Sequence, residues 1–227
     1  MIKKNKSLIL NDLDAVIARD PATSSRWQAA VFSSGFHAIF CYRFNHFLWQ
    51  KGLKNLARFL SQVVRFLTGV EIHPGAQIGK GFFIDHGMGV VIGETSEIGD
   101  NVTMYQNVTL GGTNLFDEKS KKTGKRHPTI GNNVVIGSGA QILGPIHVAD
   151  NAKIGSNAIV VKDVLKGETV IGVAAHKILH QNKNDKRFYA YGLEKNITDP
   201  ISEKIEKLEL KIKELEDILN SSKKNKK

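Results

Sequence analysis

Between residues 72 and 160 one apolar residue recurs at a spacing of six. The first run is Ile72, Ile78, Ile84 and Val90, and the second is Ile92, Ile98, Met104 and Leu110. After an interruption a third run follows: Ile130, Ile136, Ile142, Val148, Ile154 and Val160. A period of six suits neither an α-helix, which repeats at about 3.6, nor an alternating strand. It predicts short strands joined by tight turns, three to a coil, stacked as a parallel β-helix with the repeated residue pointing inward. Gly follows that residue at Ile78, Ile92, Ile98, Ile130, Ile136 and Ile154, where the turns require backbone conformations that a Cβ resists. The interruption, TNLFDEKSKKTGKRHP over residues 113–128, is polar and Lys-rich, so it should loop out and return at Arg126-His127-Pro128.

The flanking segments keep a helical period. ARDPATSSRW puts Asp20-Pro21 and Thr23/Ser24 at a helix start. Phe36, Phe40, Phe44 and Phe47 lie three or four apart, which predicts one apolar helix face. Gly52 and Gly69 bracket a further helix, LKNLARFLSQVVRFL. Near the end, Ile201, Ile205, Leu208, Ile212, Leu215 and Leu219 form a heptad seam, with Asp199 as N-cap and Pro200 as first helical residue. With Ile205 and Ile212 at a, Lys204 and Lys211 fall at g and Glu209 and Glu216 at e. Those pairs favour parallel chains, and the alternative is a single amphipathic helix folded onto its own coil. The expected divisions are a helical domain 1–69, a β-helix catalytic domain 70–176 with the protruding loop 113–128, a linker 177–199, a coiled-coil helix 200–220 and a basic disordered tail 221–227.

Composition narrows the classes. Much of the net charge of +10 comes from lysines near the ends, and no basic stripe interleaved with aromatics occurs between them, so nucleic acid is not an expected partner. No run of about 18 apolar residues is present, so no membrane span is expected. The start lacks the long apolar core of a signal peptide. The lone Cys41 forms no intrachain disulfide, and together these features predict a cytoplasmic protein.

One pair breaks the repeat's apolar character. In FFIDHGMGVVIGET, Asp85-His86 directly follows the inward Ile84, at the turn end of a coil. Glu71 lies fifteen residues earlier, near one coil of three hexads, so stacking should bring its carboxylate to His86. A carboxylate behind an imidazole fixes its tautomer and raises its basicity, the arrangement that deprotonates a hydroxyl.

EIHPGAQIG, IDHGMGVVIGET, QNVTLGGT and RHPTIG, in that order and preceded by ARDPA and SGFHA, resemble the serine acetyltransferase family over residues 12–176. The resemblance implies a left-handed β-helix, since coils of hexapeptide-repeat proteins wind that way, and a homotrimer with active sites between subunits. It implies transfer of acetyl from acetyl-CoA to the L-serine hydroxyl, giving O-acetylserine for cysteine biosynthesis, with acetyl-CoA as co-substrate and no metal. By motif, His86 is the base and Glu71 its acid. Asp20, Asp85, Arg126 and His127 meet the amino acid's charged groups, and Glu94 lies near that site. Gly112, Thr113, Ser138, Gly139 and Lys153 line the coenzyme groove, and backbone N–H groups near Gly111-Gly112 face the oxyanion. The chemistry agrees: Arg126 offers a two-pronged donor to a carboxylate, and Asp20 and Asp85 offer anions to an ammonium.

The sequence departs from the family in four places. Glu71 stands where Asp is usual, Gly172-Val173-Ala174-Ala175 replaces GVPA, and the helical unit is short, which predicts a single trimer. The chain ends Asn225-Lys226-Lys227 instead of a terminal Ile, so a complex with O-acetylserine sulfhydrylase is not expected. The alternatives are a hexapeptide-repeat acetyltransferase acting on a sugar or other small hydroxyl, and a zinc β-helix with His73, His86 and His127 as ligands.

Overall fold

The computed structural model of the protein describes residues 7–113, 124–172 and 200–224. Helices α1 (Leu8–Arg19), α2 (Arg26–Phe32), α3 (Ser34–Gln50) and α4 (Lys54–Thr68) come first. Thirteen short strands of the coil follow. Face A stacks β1 (Glu71–Ile72), β4 (Val91–Ile92), β7 (Thr109–Gly111), β10 (Gln141–Leu143) and β13 (Ile159–Val160). Face B stacks β2 (Gln77–Ile78), β5 (Glu97–Ile98), β8 (Thr129–Ile130) and β11 (His147–Val148). Face C stacks β3 (Phe83–Ile84), β6 (Thr103–Met104), β9 (Val135–Ile136) and β12 (Lys153–Ile154), and a last strand, β14 (Thr169–Val170), completes it. All pairings are parallel, and successive sides run A, B, C, so the chain is a three-sided β-helix.

All fourteen repeat residues are buried. Thirteen end or centre a strand. Val90 instead lies two residues ahead of Ile92, in a second inward row that has the same spacing of six but mixed residue types. That row includes Val70, Ala76, Phe82, Val90, Val102, Val108, Val134, Ala140, Ala152 and Ala158, all buried. Each side thus inserts a large residue from its strand and a mostly smaller one from the preceding turn, which fills the narrow prism at native density.

Two of the three corners turn through left-handed backbone, but not at the glycines that follow the repeat residues. None of those has positive φ, and Gly is needed there because a Cβ would meet the next coil. At the B–C corner the left-handed residues are Gly81, Asn101, Asn133, Asn151 and Gly167, and at the C–A corner they include Gly89, Asn107, Gly139 and Asn157. Gly and Asn tolerate positive φ best, and their backbones hydrogen-bond from coil to coil, as in Asn107 N–H to Met88 O and Asn157 N–H to Ser138 O.

The helical unit packs against the first coils through polar clamps. Buried Asp12 accepts from Phe82 N–H at 3.1 Å and pairs with Arg43 Nε at 3.1 Å. Arg43 also donates to the carbonyls of Ile78 and Gly79, Arg19 to those of Gly81 and Val102, and Tyr42 to that of Ala76. Burial raises the Asp12 carboxyl above its ordinary range, opposed by the Arg43 guanidinium.

Two expectations about the helices need correction. Thr23 and Ser24 do not open a helix. Ser25 precedes α2, and Asp20 ends α1, its carboxylate accepting from Ala22 N–H at 2.8 Å and Thr23 Oγ1 at 2.6 Å. On α3 Phe36 is buried, but with Ala38, Ile39, Tyr42, Asn45 and Leu48, while Phe40, Phe44 and Phe47 are exposed. The coil takes the face that carries Tyr42 and Arg43, whose donors satisfy the carbonyls of Ala76, Ile78 and Gly79.

A separate unit holds α5 (Pro200–Lys224), four residues longer than the heptad pattern predicts. Ile205, Leu208, Ile212 and Leu215 are exposed on it. The linker, the 114–123 stretch of the loop, Ala174-Ala175 and the seam side chains Ile201 and Leu219 lie outside the described residues. Among the described residues no helix is long and apolar enough to cross a membrane.

Asp12→Ala strands Arg43 among backbone carbonyls. It should lower the unfolding free energy by about 3 kcal/mol in a urea titration, the scale for breaking one partner of a buried pair.

Candidate active site

His86 sits in the only long C–A turn among the described residues. Strand register pairs Glu71 with Val91 and Val91 with Thr109, so the first coil holds two residues more than the second. The excess falls in the turn 85–90. Coil-to-coil hydrogen bonds run through Asp85 N–H to Met104 O and resume at Gly89 N–H to Gly69 O. Between them His86 turns through φ 59°, an uncommon conformation for a residue with a Cβ. Ser34 Oγ donates to the His86 carbonyl at 3.1 Å and steadies this turn. The imidazole is exposed, with Asp85 Oδ2 3.9 Å from its Nε2.

Helix α3 begins against the same turn. A Cβ on Gly35 would overlap the Ile84 carbonyl oxygen, so only Gly allows the approach. Asp20, Thr23, Gln28, Ser33, Ser34, Asp85 and His86 line a cavity of about 480 Å³ here, and Phe32 and Phe83 add apolar wall. Ser34 and Gly35 belong to the SGFHA stretch, yet their part at this turn is not legible in sequence, because it depends on where α3 docks.

Glu71 does not meet His86 in this structure. No ion pair within 4 Å joins them, and Glu71 Oε2 instead lies 3.2 Å from Arg65 Nε in the last turn of α4. Arg65, whose guanidinium carries a full charge, competes well for the carboxylate.

The remaining residues gather at the A–B corner, across face A from His86. His127 is buried and its ring lies over Gly93, where a Cβ would overlap it, with Nε2 also turned toward Gly112. Its Nδ1 accepts from Thr95 N–H at 3.2 Å and lies 2.9 Å from Thr95 Oγ1. Arg126 and His127 N–H groups each donate to that oxygen at 3.1 Å. His73 packs edge-on to Trp49 with ring centroids 5.0 Å apart, and its Nδ1 accepts from Gly75 N–H at 3.0 Å. Burial lowers His127 to a pKa of about 4, assisted by Arg126 and opposed by Glu94. Burial likewise lowers His73 to about 4, assisted by Arg58 and opposed by Glu94.

Of the groove candidates, Ser138 and Gly139 stand at the C–A corner two coils beyond His86, and Ser138 Oγ bonds Ser156 Oγ at 3.2 Å. Gly112 and Thr113 are exposed beside the A–B cluster, and Lys153 is exposed on face C. One chain therefore carries two polar half-sites on opposite edges of one face. The zinc alternative needs His73, His86 and His127 together, and they are divided between those edges. Among the described residues, no group of three His, Cys, Asp or Glu side chains is gathered to hold an ion.

Residues 3–41 match the family described as serine acetyltransferase, N-terminal, and residues 127–162 match the bacterial transferase hexapeptide family of six repeats. A serine acetyltransferase of Helicobacter pylori is 54% identical over 166 residues, covering 73% of this chain and 94% of its own. The chain belongs to the serine acetyltransferase family. Solved serine acetyltransferases share the fold, and with them its left-handed winding. The Neisseria gonorrhoeae structure in complex with serine is 42% identical with a TM-score of 0.68, over 75% of this chain and 67% of that one. A serine acetyltransferase in complex with CoA is 42% identical with a TM-score of 0.67, over 74% and 67%.

Both perturbed histidines of this family member bind protons more weakly folded than unfolded, where the value returns to the ordinary 6.5. The unfolded chain therefore takes up more protons between about pH 4 and pH 6.5, and their stabilising contribution is complete above that window and fades as pH falls through it. The urea midpoint should drop from pH 7.5 to pH 5, and His127→Gln should remove part of the drop. A flat profile would contradict the burial argument.

Proposed function

We propose that this chain is an acetyl-CoA-dependent serine O-acetyltransferase that makes O-acetylserine, the acetylated precursor for cysteine biosynthesis. The observation that carries the reading is the long turn 85–90, which presents an imidazole beside two carboxylates in a cavity large enough to admit a free amino acid. The relatives solved with serine and with CoA support the choice of both substrates.

In this reading the serine ammonium lies with Asp20 and Asp85, and the carboxylate takes the guanidinium of Arg126. The active unit is a homotrimer, in which the His86 edge of one chain faces the Arg126-His127 edge of the next; the separation of the half-sites within one chain supports this. Acetyl-CoA runs between subunits along Ser138, Gly139, Thr113 and Lys153. His86 takes the serine hydroxyl proton as the oxygen attacks the thioester carbonyl carbon. The oxyanion meets backbone N–H groups near Gly112, the carbon–sulfur bond breaks, and the departing thiolate recovers the proton from the imidazolium. O-acetylserine and CoA thiol are the products. The exposed heptad seam of α5 is available to link the chains in parallel.

Thiol release from acetyl-CoA should require L-serine, and sugars or other hydroxyl acceptors should not replace it. His86→Ala should lower kcat by about 100-fold or more with an unchanged circular dichroism spectrum. Serine-independent turnover, or a fully active variant, would remove the assignment.

We further propose that Glu71 orients His86 after exchanging its Arg65 partner. Glu71→Gln should then lower kcat while Arg65→Ala, which releases the carboxylate, leaves kcat at least as high. The reverse order would assign Glu71 to the fold alone.

A further inference from the structure

We infer that Thr95 is a positioning residue, whose hydroxyl fixes the return of the chain at Arg126-His127 and holds His127 with its proton on Nε2. The inference rests on the proposed role of that pair at the amino-acid substrate.

The A–B corner explains why a hydroxyl is needed here. The other two corners are held by stacked left-handed Asn and Gly residues, each after Gly81 donating its backbone N–H to the neighbouring coil. At the A–B corner the chain departs after β7 and comes back at β8, so the coil below has no regular turn to stack against. Thr95 replaces that stacking. A hydroxyl has one donor and two acceptor positions. Here the two lone pairs accept from the N–H groups of Arg126 and His127, each at 3.1 Å. Its proton goes to His127 Nδ1 at 2.9 Å. The direction of that last bond follows from the Thr95 backbone N–H, which also points at Nδ1, at 3.2 Å. A nitrogen that receives an N–H carries no proton of its own, so the neutral ring bears hydrogen at Nε2, the edge turned toward Gly93 and Gly112.

The surroundings keep the ring neutral. Burial is the largest influence disfavouring the imidazolium, Arg126, His73 and Lys125 add to it, and Glu94 opposes it. The ring at this corner is thus a hydrogen-bond donor of fixed direction, while the base is the exposed His86 on the other edge. Thr95 itself touches no substrate in this scheme; it acts through its two neighbours.

Ser keeps the hydroxyl and Val keeps only the shape, so this pair of substitutions separates the chemistry from the packing. In Thr95→Val the serine KM should rise by about tenfold, the factor for losing a well-made hydrogen bond, while the acetyl-CoA KM stays within about twofold. Thr95→Ser should return the serine KM to within about threefold of the wild type. Spectra of the 15N-histidine-labelled wild type, with His127 assigned by difference against His127→Gln, should show an unprotonated Nδ1 and a protonated Nε2 at pH 7. Equal serine KM in Thr95→Val and wild type, equal losses for both substrates, or a wild-type ring protonated at Nδ1 would each overturn the inference. Should Thr95→Val fail to fold, the wild-type spectrum and Thr95→Ser still decide it. A wild type without serine-dependent turnover would sink the functional reading, and the ring spectrum would still report on Thr95.

Discussion

The structure depends on a backbone constraint at its corners. A prism this narrow must reverse direction within a few residues, three times per coil, and two of its corners do so through positive φ. Only residues that tolerate that conformation can stand there, and each must lie over its counterpart so that one N–H meets the carbonyl below. Once the corners are fixed, the strands between them are two or three residues long and the inward rows follow. The core is less the cause of this fold than what its geometry leaves room for.

The proposed chemistry sits where that regularity is broken. Two extra residues lengthen one corner, and His86 occupies them in a conformation the other corners give to Asn or Gly. The cost of holding His there, of order 1–3 kcal/mol, is offset by Ser34, the Asp85 turn and the close seat of α3 on Gly35. At the A–B corner the break is an insertion, and Thr95 closes it. Both departures are local, because each coil contacts only its neighbours and the remaining coils keep their register.

This division explains which residues were legible in advance. The fourteen inward positions could be read because burial inside a periodic fold imposes a periodic pattern. The second inward row keeps the same spacing of six, but its mixture of Ala, Val, Phe and Ser96 conceals it beside the Ile-rich row. The Arg65 partner of Glu71 could not be read by counting along the chain, because it depends on where the last turn of α4 comes to rest against the first strand. On α3 the phenylalanine spacing pointed to an apolar face, but the coil presents unpaired carbonyls to the helix, and Tyr42 and Arg43 answer them.

The sequence alone determined the repeat, the three-sided coil, the place of the insertion and, through its motifs, the family and the residues worth testing. Those features are local, carried by residue type and spacing along the chain. Only the tertiary structure decided that the Asp85-His86 and Arg126-His127 pairs lie on opposite edges of one face, that Glu71 turns to Arg65, and that Thr95 holds the His127 ring. Each of these depends on how many residues a coil contains and on which groups are left unpaired when coils stack, and neither is written at any single position.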